Sequence, residues 1–182
     1  KGEECNAVAL TRKGEILYSY KRGAKLVTWD HQVVWDYKTP DKTELQSATL
    51  LQNGGVLLGI CGVPAQFIEL DKKGKEVNKV TLNLEVERPH SQFRQIFQLR
   101  NSNYLIPVMA KQKVLEVSRK GKIIAEHQIE GKAFSSLELP DENLLLPCGD
   151  NHCYIVIDRK TGEELKRVNA LDIEGVALWF VG

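Results

Sequence analysis

One stretch of the chain, FIELDKKGKEV (Phe67–Val77), has the pattern of a β-strand, a tight turn and the start of a second strand. The same pattern returns in VLEVSRKGKII (Val114–Ile124) and in YIVIDRKTGEEL (Tyr154–Leu165). Apolar residues flank a single acidic residue in the first two of these strands, which is the alternation typical of a half-buried strand. A glycine follows in each turn because tight hairpin turns need positive φ angles, which glycine adopts at little cost. The sequence therefore contains the same hairpin at least three times.

This hairpin belongs to a longer repeating unit. In the four successive repeats, the residue predicted to end the hairpin's first strand is Asp30, Asp71, Ser118 and Asp158 in turn. These residues are 41, 47 and 40 positions apart. Two further apolar runs with a turn signal between them precede each of these positions. Four strands in about 40–50 residues are typical of a β-propeller blade. A β-sandwich also has short strands, but it gives no reason for the same order of turns to occur four times. The sequence predicts an all-β propeller of four-stranded antiparallel blades.

The repeat divides residues 1–182, predicted to be one propeller domain or propeller fragment, into four blades. Residues 175–182 then start a further blade or form a closing strand. An open arc of blades would leave sheet faces and edges bare. We therefore expect the chain to be part of a larger ring of six to eight blades, with a closed four-bladed ring as the alternative. The predicted blades are residues 4–43, 44–90, 91–132 and 133–174.

Charge and hydropathy restrict the class of protein. Lys and Arg number 25 against 24 Asp and Glu, so nucleic-acid binding, which depends on phosphate neutralisation, is not expected. No apolar run reaches the roughly 20 residues that a transmembrane helix needs. Lysine-rich turns such as DKKGK (residues 71–75) are expected to be solvated tips. The sequence opens at Lys1 without an initiator Met or a signal peptide, so we expect a processed or recombinant form of the protein. We expect a bacterial protein of the periplasm, cell envelope or extracellular space, with the cytoplasm as the alternative.

The hairpin of residues 154–165 resembles the repeat of the PQQ-like (quinoprotein alcohol dehydrogenase-like) propellers. In that repeat an aspartate follows an apolar strand and a Thr-Gly turn comes next, as in Asp158, Thr161 and Gly162. Trp35 stands at about the position where the repeat docks a tryptophan. The resemblance implies a propeller superfamily that includes PQQ- and Ca²⁺-dependent dehydrogenases. Because the sequence has no adjacent cysteine pair and no recognisable calcium ligands, we expect these cofactors only if the protein is an enzyme.

A ligand is expected on the propeller face that is formed by the loops between blades and by the loops joining the second and third strands. On that face a histidine could act as a base, because imidazole titrates near neutral pH. An arginine could bind a carboxylate or a sulfate with two hydrogen bonds. The alternative is that His90 caps a turn beside Pro89 and that Arg94 pairs with a carboxylate. The predicted ligand-binding residues are His90, Gln92, Arg94, Asp150 and His152.

Cys148 and Cys153 are predicted to end one strand and to start its antiparallel neighbour. Their Cα atoms could then lie within the roughly 4.4–6.8 Å that a disulfide requires. Free thiols are nevertheless the first expectation, a disulfide is the second, and a metal site is the third. A metal site is not expected, because Cys5 and Cys61 are isolated in the sequence and supply no second ligand pair.

A complete structural repeat without a convincing catalytic constellation favours a non-catalytic propeller, a scaffold module that binds a small ligand or a protein. The alternative is an enzyme. It would be a quinoprotein-like oxidoreductase, or else a sulfotransferase or hydrolase that uses histidine and arginine residues of the rim.

Overall fold

The computed structural model describes residues 5–169. The chain divides into two compact units, residues 1–92 and 93–182. In the described part of each unit, eight strands form two four-stranded antiparallel sheets, and the strands of every sheet are ordered as they follow in the sequence. Such a meander is the strand arrangement of a propeller blade. The predicted all-β fold of four four-stranded sheets is confirmed. The predicted strand at residues 175–182 lies outside the described residues.

The first unit holds the first two sheets. The first sheet consists of β1 (Cys5–Leu10), β2 (Ile16–Tyr20), β3 (Gly23–Val27) and β4 (Val33–Lys38). The second consists of β5 (Glu44–Leu50), β6 (Val56–Cys61), β7 (Ala65–Leu70) and β8 (Glu76–Leu82).

The second unit holds the other two sheets. The third sheet consists of β9 (Phe97–Gln98), β10 (Tyr104–Val108), β11 (Lys113–Val117) and β12 (Ile123–Gln128). The fourth consists of β13 (Leu137–Glu138), β14 (Leu144–Cys148), β15 (Cys153–Ile157) and β16 (Glu164–Asn169). The helical segments among the described residues are three single 3₁₀ turns, Pro89–Ser91, Met109–Lys111 and Gly149–Asn151.

The repeated hairpin turn is held together by its first side chain. Asp71 Oδ1 accepts hydrogen bonds from the backbone N–H groups of Lys73 (2.8 Å) and Lys75 (2.9 Å), and Gly74 has a φ of 79°. Asp158 forms the same kind of turn with Lys160 and Thr161. An aspartate is frequent in such turns because its carboxylate satisfies N–H groups that the turn leaves unpaired.

The structure corrects the prediction for the first sheet. Thr28, rather than Asp30, is the residue that follows the strand, and its hydroxyl oxygen accepts the N–H of Gln32 at 3.1 Å. His31, with a φ of 66°, takes the place that Gly74 has in the second sheet. Threonine makes the same local hydrogen bond as aspartate, so the two positions could not be distinguished from the letters TWD.

In each unit, a turn of the later sheet packs on the last strand of the earlier one. A Cβ atom at Gly74 would lie only 2.7 Å from Trp35 Cβ and Cγ, and Trp35 is 8% exposed. In the second unit a Cβ at Gly162 would lie 2.5 Å from His127 Nδ1. The turn glycine is thus needed for close contact between sheets as well as for its φ angle. Leu17 and Leu26 are among the core residues that continue this packing in the first unit.

A buried ion network connects the two sheets of the second unit. Arg159, in the β15–β16 turn, donates hydrogen bonds to Glu116 of β11 from Nε (2.9 Å) and Nη2 (2.8 Å) and to Glu138 of β13 from Nη1 (3.0 Å). The amides of Asn101 and Asn103 also donate to Glu116. Burial raises the pKa of Glu116, but the hydrogen bonds from Arg159 and both asparagines outweigh burial and hold the pKa at about 2. The carboxylate is therefore ionised throughout the neutral range.

Candidate functional site

Gln92 anchors the long loop that follows β8. It is 1% exposed. Its Nε2 donates to the carbonyl oxygens of Gly62 (2.7 Å) and Val86 (2.9 Å), and its Oε1 accepts the N–H of Gly62 at 3.0 Å. The structure therefore shows this predicted ligand residue as a buried anchor of the loop. Burial of this kind depends on tertiary packing and left no signal in the local sequence.

His90 lies beside two charged side chains on the rim of the first unit. Its Nδ1 is 3.1 Å from Glu44 Oε2, and the other oxygen of Glu44 is 3.0 Å from Lys21 Nζ. The side chains of His90 and Lys21 are 66% and 57% exposed, whereas that of Glu44 is 18% exposed. Burial raises the pKa of Glu44, but its contacts with Lys21 and His90 outweigh burial and lower the pKa below the ordinary value.

A second ion pair extends this surface. Arg22, in the β2–β3 turn, lies 2.8 Å from Asp41 in the connection between β4 and β5. We call the five residues Lys21, Arg22, Asp41, Glu44 and His90 the rim patch. It contains both signs of charge, and its loops belong to one compact unit. Of the predicted ligand residues, His90 is the one that belongs to it.

The remaining predicted rim residues belong to the second unit. Asp150 lies in the 3₁₀ turn between β14 and β15 and pairs with Lys132 Nζ at 2.9 Å. His152 follows that turn with a φ of 49°, and its backbone N–H donates to Gly149 O at 3.1 Å. Arg94 Nη1 donates to the carbonyl of Phe93 at 3.2 Å. Asp150 and His152 therefore share one loop, and Asp150 forms an ion pair there.

Cys148 and Cys153 are direct partners across β14 and β15, as their predicted strand positions require. Both are buried, and both thiols are free. Burial raises the pKa of the Cys148 thiol to about 12, so this side chain is a poor nucleophile at neutral pH. Arg167 Nη1 lies 3.4 Å from Cys153 Sγ. Within residues 5–169, no group of three or more His, Cys, Asp or Glu side chains is arranged to hold a metal ion.

The structure also shows a cavity that sequence reasoning missed. It has a volume of about 500 Å³ and lies in the first unit, at the end of the strands opposite the rim patch. We call it the turn cavity, because the β1–β2, β5–β6 and β7–β8 turns surround it. Its apolar lining includes Leu10, Leu26, Trp35, Leu50 and Val56, and the cations at its mouth are Arg12, Lys13 and Lys72.

The signal for this cavity was present in the sequence as basic turns. RKG at residues 12–14 and DKKGK at residues 71–75 are far apart in the chain, and each alone is typical of a solvated hairpin tip. Only the packing of the first sheet on the second brings both turns to one apolar depression.

Comparisons with known proteins identify relatives. The sequence model of the family described as Mal s 1 allergenic protein-like matches residues 1–180. A protein of unknown function from Bacteroides caccae has a structure that superposes with a TM-score of 0.93 at 41% identity, over 100% of this chain and 66% of that one. Virginiamycin B lyase from Staphylococcus aureus superposes with a TM-score of 0.70 at 16% identity, over 91% of this chain and 55% of the lyase. No curated protein matches the chain.

The WD40 domain of Pan2 from Neurospora crassa is a further structural neighbour, with a TM-score of 0.70 at 12% identity over 92% of this chain and 50% of that one. The chain thus spans 66% of the length of the Bacteroides protein and about half the length of the lyase and the WD40 domain. At 16% and 12% identity the likeness shows the fold alone, and that fold is the predicted β-propeller. The narrower resemblance to the PQQ-like repeat stays a hypothesis. Residues 5–169 contain no helix with the length and hydropathy that a membrane span requires.

Proposed function

The chain belongs to the Mal s 1 allergenic protein-like family, and we propose that it is a non-catalytic propeller that binds a protein partner through the rim patch. The observation that carries this proposal is the Gln92 anchor. This buried amide donates two hydrogen bonds and accepts one, and the three fix the loop that contains the Pro89–Ser91 turn. That turn presents His90 beside Glu44. A charged surface on a fixed loop loses little conformational entropy on binding.

The exposure of His90 favours binding over catalysis. Enzyme sites are usually concave, and they exclude water so that charge interactions become strong. His90 has 66% of its side chain exposed, and its carboxylate neighbour is also bound to a lysine. A mixed charged surface of this kind selects a partner of complementary charge and speeds its association. We propose a partner whose contact surface carries both acidic and basic side chains.

A comparative binding experiment tests this proposal. The immobilised chain and a Lys21→Glu, Arg22→Glu double variant are incubated with a bacterial cell-envelope extract, and retained proteins are quantified by mass spectrometry. The matched control is Lys75→Glu, Lys79→Glu, which makes the same charge change on exposed residues of the second sheet. We expect to find a protein that binds to the wild type and to the control but not to the rim variant. Because the contact is between charges, this protein should elute when added salt shortens the electrostatic screening length below about 8 Å. Retention of the same proteins by all three forms would contradict the proposal.

An enzyme remains the second candidate because one contact favours it. A carboxylate 3.1 Å from a histidine nitrogen can orient the ring and make it a better base. The fold is similar to that of virginiamycin B lyase, of which a histidine-to-alanine variant is catalytically inactive. Incubation with quinupristin followed by chromatography checks this candidate. We expect unchanged quinupristin, and turnover that is lost in His90→Ala would replace our proposal.

The proposed function needs no cofactor. Thermal melting with and without PQQ and Ca²⁺ tests this part. We expect the same melting temperature in both conditions. The resemblance to the quinoprotein repeat lies in turn residues such as Asp158 and Gly162, and these residues form hydrogen bonds within their own hairpin. A clear rise in melting temperature would favour the quinoprotein-like oxidoreductase.

A further inference from the structure

We propose that the turn cavity binds a small organic anion with an apolar body, of the class of aryl carboxylates. This second site is independent of the rim patch, because it lies at the other end of the strands and shares no residue with it. Three properties of the cavity carry the inference: its apolar lining, its unpaired cations and the fixed position of one of these cations.

The lining provides a place for an apolar body. A volume of about 500 Å³ falls within the roughly 300–1,000 Å³ of sites that hold small molecules. Leu26, Trp35 and Val56 are 4%, 8% and 3% exposed and form the deep part, while Leu10 is 58% exposed and lies nearer to solvent. An aromatic ring that enters would remove apolar surface from water and could contact the indole of Trp35.

The charges at the mouth select an anion. Arg12, Lys13 and Lys72 form no ion pair with any residue between 5 and 169. Both acidic residues of the lining are engaged within their own turns. Glu15 accepts a hydrogen bond from the Thr11 hydroxyl at 3.1 Å, and Asp71 accepts two backbone N–H groups. The cations are therefore available to a ligand carboxylate, which guanidinium and ammonium groups bind strongly.

Lys72 is held at the mouth by the neighbouring turn. A Cβ atom at Gly54 would lie 2.7 Å from Lys72 Cε and 3.4 Å from Lys72 Nζ, so the lysine stem lies against the bare glycine backbone. A solvated hairpin tip has no such contact. Because this contact restricts the lysine stem, less rotamer entropy is lost when an anion binds to it.

The test uses 2-naphthoate and its neutral isostere 2-naphthamide as probes on the full 182-residue chain. Calorimetric titration gives affinity and stoichiometry, and tryptophan emission reports contact with Trp35. We expect one naphthoate per chain and naphthamide binding weaker by about tenfold or more, the loss that corresponds to one charge-assisted contact. Equal affinity for both probes, or no binding of naphthoate at millimolar concentration, would overturn the proposal.

Two pairs of variants locate the site. Lys72→Glu should weaken naphthoate binding about tenfold or more, whereas Lys73→Glu, in the same turn but outside the cavity lining, should leave it unchanged. Leu10→Glu should also weaken binding, and the control is Val8→Glu, since Val8 is 71% exposed and lies outside the lining. All four positions are exposed, so unchanged circular dichroism is expected. If each control weakens binding as much as its partner variant, naphthoate binds elsewhere and the assignment is wrong.

Discussion

Replacing Glu116 by Gln removes the central charge of the ion network in the second unit. The carboxylate is 5% exposed and accepts two hydrogen bonds from Arg159 and one each from Asn101 and Asn103. Glutamine keeps the shape of the side chain but cannot balance the guanidinium. Arg159, whose side chain is only 15% exposed, then keeps Glu138 as its carboxylate partner. We expect a large loss of stability in E116Q because a buried charge is left with too little compensation.

The size of this loss follows from the pKa. The value falls from 4.5 to about 2 on folding, and a lowering of this size corresponds to ~3 kcal/mol of stability at neutral pH. Because the folded-state pKa is the lower one, the contribution is complete above about pH 5 and is lost as the pH falls through 4.5 towards about 2. At pH 3.5 roughly 1.4 kcal/mol of it should already be gone.

Urea unfolding of wild type and E116Q at pH 7 and pH 3.5 measures this directly. The gap between the two proteins should be ~3 kcal/mol at pH 7 and about half of that at pH 3.5. Glu126→Gln is the control, because Glu126 pairs with Lys113 at 3.1 Å but has 48% of its side chain exposed. It should cost less than about 1 kcal/mol at either pH. A gap for E116Q that is equal at both pH values would refute the linkage to ionisation.

Three further predictions concern the anchor, the turn glycine and the thiols. Gln92→Ala removes the partner of two buried backbone groups of Gly62 and of the partly buried Val86 carbonyl, and it should cost ~2–4 kcal/mol in urea unfolding. Gln128→Ala, at an exposed position, should cost much less. Gly74→Ala places a Cβ atom against Trp35 and leaves alanine at a φ of 79°. It should lower the unfolding free energy by at least ~1 kcal/mol. If Lys73→Ala lowers the unfolding free energy as much, the contact with Trp35 is not the cause. Iodoacetamide at pH 8 should label the exposed Cys5 well before Cys148, because burial raises the pKa of the Cys148 thiol to about 12. Mass spectrometry of the peptides gives the order of labelling, and early labelling of Cys148 would contradict the prediction.

The fold could be predicted because its signals are local. The turn at Asp71 is determined by hydrogen bonds within five residues, so its pattern can be recognised wherever it recurs, as it does at Asp158. The same locality explains the error at Asp30. Thr28 and Asp30 are both residue types that can start such a turn, and only the strand pairing that ends at Val27 distinguishes them.

The functional surfaces could be predicted only in part, because they depend on contacts between residues distant in the sequence. The sequence predicts that His90 lies on the rim, but Glu44 comes from the start of β5 and Lys21 from the β2–β3 turn, and no spacing rule relates the three. Gln92 was assigned to a ligand from its loop position, yet packing against Gly62 buries it. The turn cavity was missed because Leu10 and Lys72 become neighbours only when the two sheets pack.

The contact between Gly74 and Trp35 has a consequence for synthesis of the chain. Gly74 follows Trp35 in the chain by 39 residues (74 − 35). At typical rates of roughly 5–20 residues per second, a ribosome takes about 2–8 s to add them. During that interval the indole ring has no turn to pack against, and His127 is uncovered in the same way until Gly162 is added 35 residues after it (162 − 127). The first sheet of each unit thus leaves the ribosome before the turn that covers its last strand has been made. Slow translation of residues 36–74 would lengthen this interval and raise the chance of aggregation of the nascent chain.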